Sequence, residues 1–206
     1  TERLSFQARL AASQNDLEKA VTLLNQAVAS GVADASVFQM LAVFHRELGN
    51  PEEAIQAFES SLAIRPDNSQ TITEYVLTLI QSNRYEDALS TARRLQRYAT
   101  SNPTFMSLWL NLESVNGGEQ GRDFAIRQRE RMLELNPTDI ENRYQLARMY
   151  IASKEWEKSR VQIDYLRDLN DQLVFVELDA LWHADQGVID NADGVAMANN
   201  VFAKYI

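Results

Sequence analysis

The chain contains no cysteine. That excludes a disulfide framework, a thiolate zinc site and a cysteine nucleophile, and it leaves cytoplasm and periplasm equally compatible. Seven Gly and four Pro in 206 residues leave little turn-forming material, which favours long elements joined by short connections. Only two histidines occur, His45 and His183, so a catalytic or metal-binding histidine cluster has no raw material. Long hydrophobic runs are missing as well. The most apolar stretch, Leu173 to Trp182, is interrupted by Glu177 and Asp179 and is about half the roughly 20 residues that a membrane-crossing helix needs. Basic charge is in deficit: 20 Lys and Arg against 29 Asp and Glu give a net charge of -9. Such a surface repels phosphate backbones and anionic membranes, so nucleic acid is not an expected partner. The opening residues Thr1-Glu2-Arg3 carry neither an initiator Met nor an apolar signal segment, and the expectation is a processed form or a piece of a longer chain.

What the chain does contain is a repeat. Asp16-Leu17-Glu18-Lys19-Ala20, Pro51-Glu52-Glu53-Ala54, Arg84-Tyr85-Glu86-Asp87-Ala88 and Arg122-Asp123-Phe124-Ala125 place their final alanines 34, 34 and 37 residues apart. The same step continues to Ser159 and Ala192. Six units are expected, at approximately 1-34, 35-68, 69-105, 106-139, 140-172 and 173-206.

Each unit reads as two helices. Phe38, Leu41, Ala42 and His45 share one face at helical spacing, and after Gly49-Asn50-Pro51 a second stripe runs through Ala54, Phe58, Ser61 and Leu62. Asn50 is an N-cap candidate with Pro51 at the first helical position. Thr138 and Glu141 have capping-box spacing. The recurring small residue near Ala20 lets the two helices of a unit approach closely. In the fourth unit, Asn116-Gly117-Gly118-Glu119-Gln120-Gly121 and the 37-residue step predict a longer, more mobile inner connection.

This pattern resembles the tetratricopeptide repeat (TPR), a helix-turn-helix unit of about 34 residues. In that family the fourth, seventh, eighth and eleventh places of the first helix pack, with a small residue at the twentieth place, an aromatic at the twenty-fourth and Pro at the thirty-second. The second unit matches best, with Phe38, Leu41, Ala42, Ala54, Phe58, Ser61 and Pro66, and with His45 where the eleventh-place aromatic is usual. The fifth matches on Leu146, Ala147 and Tyr150, the fourth on Trp109, Leu112, Ala125 and Pro137, and the first on Leu4, Ala8, Ala20, Leu24 and Ala27. The third departs with Tyr75 and Val76, so its helices are expected to sit slightly differently. The resemblance implies an all-α, right-handed α-solenoid of about six TPR-like units.

Residues suited to catalysis are scarce. His45 and His183 fall at or beside packing places, and Asp185 near His183 makes no metal site without a third partner. The acidic pairs Glu52/Glu53 and Glu86/Asp87 open helices, where they compensate the dipole. The glycine cluster lacks the spacing of a phosphate loop. The basic residues Arg93, Arg94 and Arg97, and Arg122, Arg127, Arg129 and Arg131, alternate at helix-surface spacing and read as solvated faces. No catalytic residue, cofactor or metal is predicted.

A tetratricopeptide array offers a groove lined by its first helices, and the resemblance implies that their second, fifth, ninth and twelfth places face it. The candidates are Gln39, Val43 and Arg46 in the second unit, Thr73 and Leu77 in the third, Leu110 in the fourth, and Tyr144 and Arg148 in the fifth. The places where chaperone-binding relatives clamp a carboxylate here hold Thr73, Leu77, Asn111, Glu141 and Gln145, so chaperone tails are not implied. The expected function is a non-catalytic scaffold that binds a protein or peptide segment. The alternative is an accessory or regulatory region of a larger enzyme such as a transferase. Ile189, Ala192, Val195, Ala196, Asn199, Phe202, Ala203 and Ile206 continue an apolar stripe to the last residue without a polar cap, which predicts either self-association through the C-terminal unit or a gain in stability when the chain is extended.

Overall fold

The computed structural model describes residues 2–31, 34–168, 178–179 and 181–182. Among these residues there are ten α-helices and no strand: α1 (Glu2–Ser13), α2 (Leu17–Ala29), α3 (Ala35–Glu47), α4 (Pro51–Ile64), α5 (Ser69–Gln81), α6 (Tyr85–Ala99), α7 (Pro103–Asn116), α8 (Gly118–Leu135), α9 (Ile140–Ala152) and α10 (Trp156–Asp168). The consecutive helices α1–α2, α3–α4, α5–α6 and α9–α10 pack as pairs, and the chain divides into two compact units at 1–112 and 113–206. The readings placed on His183, Asp185 and the 189–206 stripe lie outside the described residues.

Four of the five inner turns share one construction. Their middle residues, Asn15, Gly49, Asn83 and Lys154, have φ of 63°, 76°, 58° and 60°. That left-handed step lets the next amide return to the helix end: Asp16 N donates to Ala11 O, Asn50 N to His45 O and Arg84 N to Leu79 O at 2.9 Å, and Glu155 N to Tyr150 O at 2.8 Å. Such a six-to-one bond satisfies carbonyls that a helix end otherwise leaves open. Glycine and asparagine adopt the conformation readily, whereas Lys154 carries a full side chain through it.

The small residues are packed as their phase requires. Ala20, Ala54, Ala88, Ala125 and Ser159 are all 0 % exposed. Ser61 Oγ donates to Ala35 O at 2.8 Å, tying α4 to the start of α3. In the third repeat the larger Tyr75 is accommodated rather than expelled: its ring stacks on Phe58 at 6.0 Å, and its hydroxyl donates to Glu59 Oε1 at 2.8 Å.

Three local expectations are corrected. Asn50 makes no side-chain capping bond; Pro51 at the first position removes one orphan donor instead. The start of α9 is capped by Asp139, whose carboxylate accepts from Asn142 N at 2.9 Å, and Thr138 Oγ1 turns back to Asn136 Oδ1. The fourth unit has no long inner loop. A single residue, Gly117, separates α7 from α8, and the additional residues form an extra turn at the start of an 18-residue helix. Ala20, Ala54, Ala88 and Ser159 each sit at the fourth residue of their helix, whereas Ala125 sits at the eighth. Four added residues are close to one helical turn, so Ala125 keeps the phase of its counterparts.

The repeat boundary also moves. α7 begins at Pro103, as α5 begins at Ser69, so the fourth unit starts at 103 and not at 106.

Candidate functional site

The shifted boundary decides the fate of one predicted groove residue. Leu110 occupies the eighth place of its helix, the place held by Ala8, Ala42, Val76 and Ala147, and like all of them it is 0 % exposed. It is core and not groove lining. Ser107, half-buried, takes the fifth place instead.

The other candidates separate by what their neighbours leave accessible. Gln39, Val43 and Arg46 on α3 are half-buried, as is Leu77 on α5. Thr73 is 5 % exposed, with Oγ1 donating to Ser69 O at 2.7 Å; its hydroxyl is used within the helix. Arg46 Nη1 is shielded from solvent and has no hydrogen-bond acceptor, and Glu74 Oε2 on α5 is in the same condition. Ile80 on α5 is half-buried beside this set in sequence phase. The first compact unit therefore carries accessible apolar area from Val43, Leu77 and Ile80 together with polar groups that are only partly satisfied.

In the second compact unit, Tyr144 packs against the core formed by Ala147, Ile151, Ile163, Leu166 and Leu178. The guanidinium of the exposed Arg148 lies 5.6 Å from the Tyr144 ring, within cation–π range. Their one-turn spacing thus produces a mutual contact as well as surface. Arg93, Arg94, Arg97, Arg127 and Arg131 are exposed, as solvated faces should be. Glu52 does more than compensate a helix dipole: its carboxylate pairs with Arg84 Nη1 at 3.2 Å, and Asp87 pairs with Arg84 Nε at 2.8 Å. His45 is half-buried with Nδ1 hidden and unbonded, consistent with a packing place. Among the described residues there is no cluster of three metal-capable side chains and no helix long and apolar enough to cross a membrane.

Sequence reading missed a polar core in the fourth repeat. Arg129, assigned to a solvated face, is 1 % exposed. It stands four residues after Ala125, the offset at which Phe58 follows Ala54 and Leu24 follows Ala20, and this in-phase position was the available signal. Glu113, at the eleventh place shared with Leu79 and Tyr150, is 4 % exposed. Arg129 Nη1 donates to Asn142 Oδ1 at 2.9 Å, and Asn142 Nδ2 donates to the Arg129 carbonyl at 2.8 Å. This reciprocal pair bonds α8 to α9. Burial pushes the guanidinium down to about 10, against the opposing pull of Glu141 and Asp139. Glu113 is seated over glycine: a Cβ at Gly121 would lie 2.6 Å from the Glu113 carbonyl oxygen and 2.8 Å from its Oε2.

An outer cleft of about 520 Å³ is lined by Glu130, Leu133, Glu134, Arg143, Leu146, Tyr150 and Gln162. Its polar groups are largely committed to one another. The Tyr150 hydroxyl donates to Glu130, and burial together with Glu130 holds its acidity well below that of an ordinary tyrosine. Arg143 donates to Pro137 O and Gln162 Oε1 and stacks on Tyr165 at 3.7 Å.

Paired helices in 34-residue phase, left-handed inner turns and buried small residues define the class: this is a TPR protein of the α-solenoid fold. Within that class the chain belongs to the family of the Psidin N-terminal TPR repeats region, whose pattern matches residues 10–163. It is 25 % identical over 127 residues to DnaJ homolog subfamily C member 3 of Gallus gallus, a match that covers 62 % of this chain and 25 % of that protein. The chain therefore spans about a quarter of that relative. Among solved structures, it resembles a tetratricopeptide repeat protein from Parabacteroides merdae, with a TM-score of 0.81, 18 % identity and 98 % and 78 % of the two chains covered. YrrB, described as a TPR protein with an unusual peptide-binding site, matches with a TM-score of 0.71, 18 % identity and coverage of 85 % and 90 %. MamA from Desulfovibrio magneticus RS-1 matches with a TM-score of 0.68, 16 % identity and coverage of 84 % and 96 %. At these identities the structural likenesses establish fold alone.

Proposed function

We propose that the chain is a non-catalytic interaction scaffold that captures a protein or peptide segment along its inner helices. The observation that carries this reading is the accessible apolar area of Val43, Leu77 and Ile80, three inner-helix side chains that remain half-exposed while the packing places around them are filled. Apolar area left at regular intervals on stacked inner helices suits an extended or helical segment with apolar side chains, flanked by polar contacts from Gln39 and Arg46. Tyr144 and Arg148 form a second contact point, because an aromatic ring and a guanidinium supply large area and directed hydrogen bonds. YrrB, a fold relative described by its peptide-binding site, supports the class of ligand. Thr73 contributes framework.

A photo-crosslinking residue placed at Val43 or Leu77, with Ser90 on an exposed outer face as control, tests the reading. Capture of one protein at the first two positions and none at Ser90 is expected. The captured partner should then lose about 2 kcal/mol or more of affinity when Val43 and Leu77 become Glu, with the circular dichroism unchanged. Equal labelling at all three positions overturns the groove assignment. The second reading, a regulatory region of a larger enzyme, is favoured if the captured protein is a catalytic domain whose turnover changes on binding.

A further inference from the structure

The outer cleft of about 520 Å³ has the size of an ordinary ligand site, roughly 300–1,000 Å³, and the function proposed above makes no use of it. Glu130, Leu133 and Glu134 of α8 line one side, and Leu146 and Tyr150 of α9, 1 % and 3 % exposed, are its buried lining. Arg143, the cation that lines it, is turned to other partners. Its Nε and Nη2 donate to Pro137 O at 2.9 and 2.6 Å, its Nη1 donates to Gln162 Oε1 at 2.7 Å, and its guanidinium stacks on Tyr165. Lys158, whose ammonium Glu130 stabilises from a distance, is bonded to Glu155 Oε2 at 2.6 Å. The Tyr150 hydroxyl donates to Glu130 Oε1. Among the described residues, Glu130 Oε2 and both Glu134 carboxylate oxygens receive no hydrogen bond and no ion pair. The cleft thus sets an acidic wall, which the neighbouring cations do not bond, beside an apolar lining.

We infer that this cleft is a docking site for a lysine or arginine side chain presented by a segment of a partner protein. Glu130 and Glu134 stand one helical turn apart, about 5–6 Å between Cβ atoms, a separation at which two carboxylates close on one ammonium or guanidinium. The methylene stem of such a side chain packs along Leu133 and Leu146 while its charged head reaches the carboxylates, as long basic side chains do on mixed surfaces. Gln162 Oε1 is taken by Arg143, so its Nε2 remains to donate to a main-chain carbonyl of the same segment. That contact favours a polypeptide over a free amine. Net charge acts in the same direction, since -9 draws basic partners and repels anionic ones. Glu130 is half-buried, so salt screens its pairing with an incoming cation less than it screens a surface pair. The inference is independent of the groove reading: it uses none of Val43, Leu77, Tyr144 or Arg148, and the site lies wholly within residues 130–162.

Backbone-amide NMR of the full chain at low salt tests it. The probes are an acetylated, amidated peptide carrying three lysines in a Gly-Ser background, its three-glutamate counterpart, and spermidine, a free amine of the same charge as the first. With the lysine peptide, shifts centred on residues 130–134, 143 and 162 are expected, and a dissociation constant at least about tenfold weaker in E130Q/E134Q. The glutamines keep an acceptor for Tyr150, and unchanged far-ultraviolet circular dichroism confirms that the variant folds. E134Q alone, at an exposed position, should weaken binding about threefold and decides the matter if the double variant unfolds. E53Q/E86Q removes the same charge from two exposed helix starts and should leave the constant within about twofold. Equal weakening in the two double variants overturns the inference, because attraction by net charge then explains the binding. Absence of shifts at 130–134 with the lysine peptide, or equal binding of the glutamate peptide, overturns it as well. Spermidine that binds this cleft as tightly as the lysine peptide overturns the polypeptide occupant.

Discussion

The second and fourth repeats carry the same helix-turn-helix plan and fill its core differently. In the second, the eleventh place holds the half-buried His45, the twenty-fourth holds Phe58, and Gly49 turns the chain with φ 76°. In the fourth, those two core places hold Glu113 and Arg129, both buried, and a one-residue connection replaces the turn. Apolar filling tolerates approximate partners because dispersion and burial lack direction. Polar filling requires each donor and acceptor to be met, so it brings further residues with it: Asn142 to bond Arg129, and Gly117 and Gly121 to make room for Glu113. The same backbone lattice therefore accepts either chemistry, but the polar version is specified by several positions at once.

The largest expected effect comes from emptying these core places. Phe58→Ala should cost roughly 3–5 kcal/mol, and Arg129→Ala, which takes the Nη1 donor from the buried Asn142, about 1–3 kcal/mol. Thermal or urea unfolding of the two variants sets the comparison, and a loss below about 1 kcal/mol for Arg129→Ala would mean that the polar core is only loosely bonded.

Gly121→Ala should cost about 1–3 kcal/mol by overpacking, because the new Cβ would meet the Glu113 backbone carbonyl as well as its carboxylate, and the carbonyl cannot swing aside. Gly49→Ala meets no atom within 4 Å and should cost about 1 kcal/mol, through its left-handed φ alone. Equal costs would show that close approach of Glu113 contributes nothing.

Tyr75 brings a pH signature to the apolar half of the comparison. Burial, and then the Glu59 bond, raise its hydroxyl to about 12 from the ordinary 10. The folded state thus holds this proton more tightly than the unfolded state does. Its contribution is complete below about pH 10 and is lost as pH rises through about 12. The fall in stability across that window should be shallower in Tyr75→Phe, measured by denaturant midpoints at fixed salt; an identical fall would exclude Tyr75 as its source.

The smallest effect is a gain. Lys154→Gly relieves a left-handed lysine and should stabilise by about 0.5–1 kcal/mol, bringing the fifth inner turn into line with that of Gly49. No gain in the unfolding midpoint would show that Lys154 sits there without strain.

The repeat was legible because it is periodic. Ala20, Ala54, Ala88, Ala125 and Ser159 announce themselves by spacing, and each is buried as that spacing requires. The candidate site was legible only in part. Val43, Leu77 and Arg148 retain accessible surface, whereas Leu110 was misplaced by three residues, because an insertion recorded as a 37-residue step does not say which side of the alanine it enters. Composition could not reveal that the glycine-rich stretch continues a helix, since glycine is compatible with both loop and close packing.

Sequence by itself determined the paired-helix repeat, its phase and the small residues that permit close packing, since these follow from periodicity and side-chain size, which are properties of the string. Tertiary structure alone decided that Arg129 and Glu113 are inside and that α8 gains a turn in place of a loop. A charged side chain is stable in a core only when particular partners and space converge on it from other helices, and whether a face is covered depends on what packs against it.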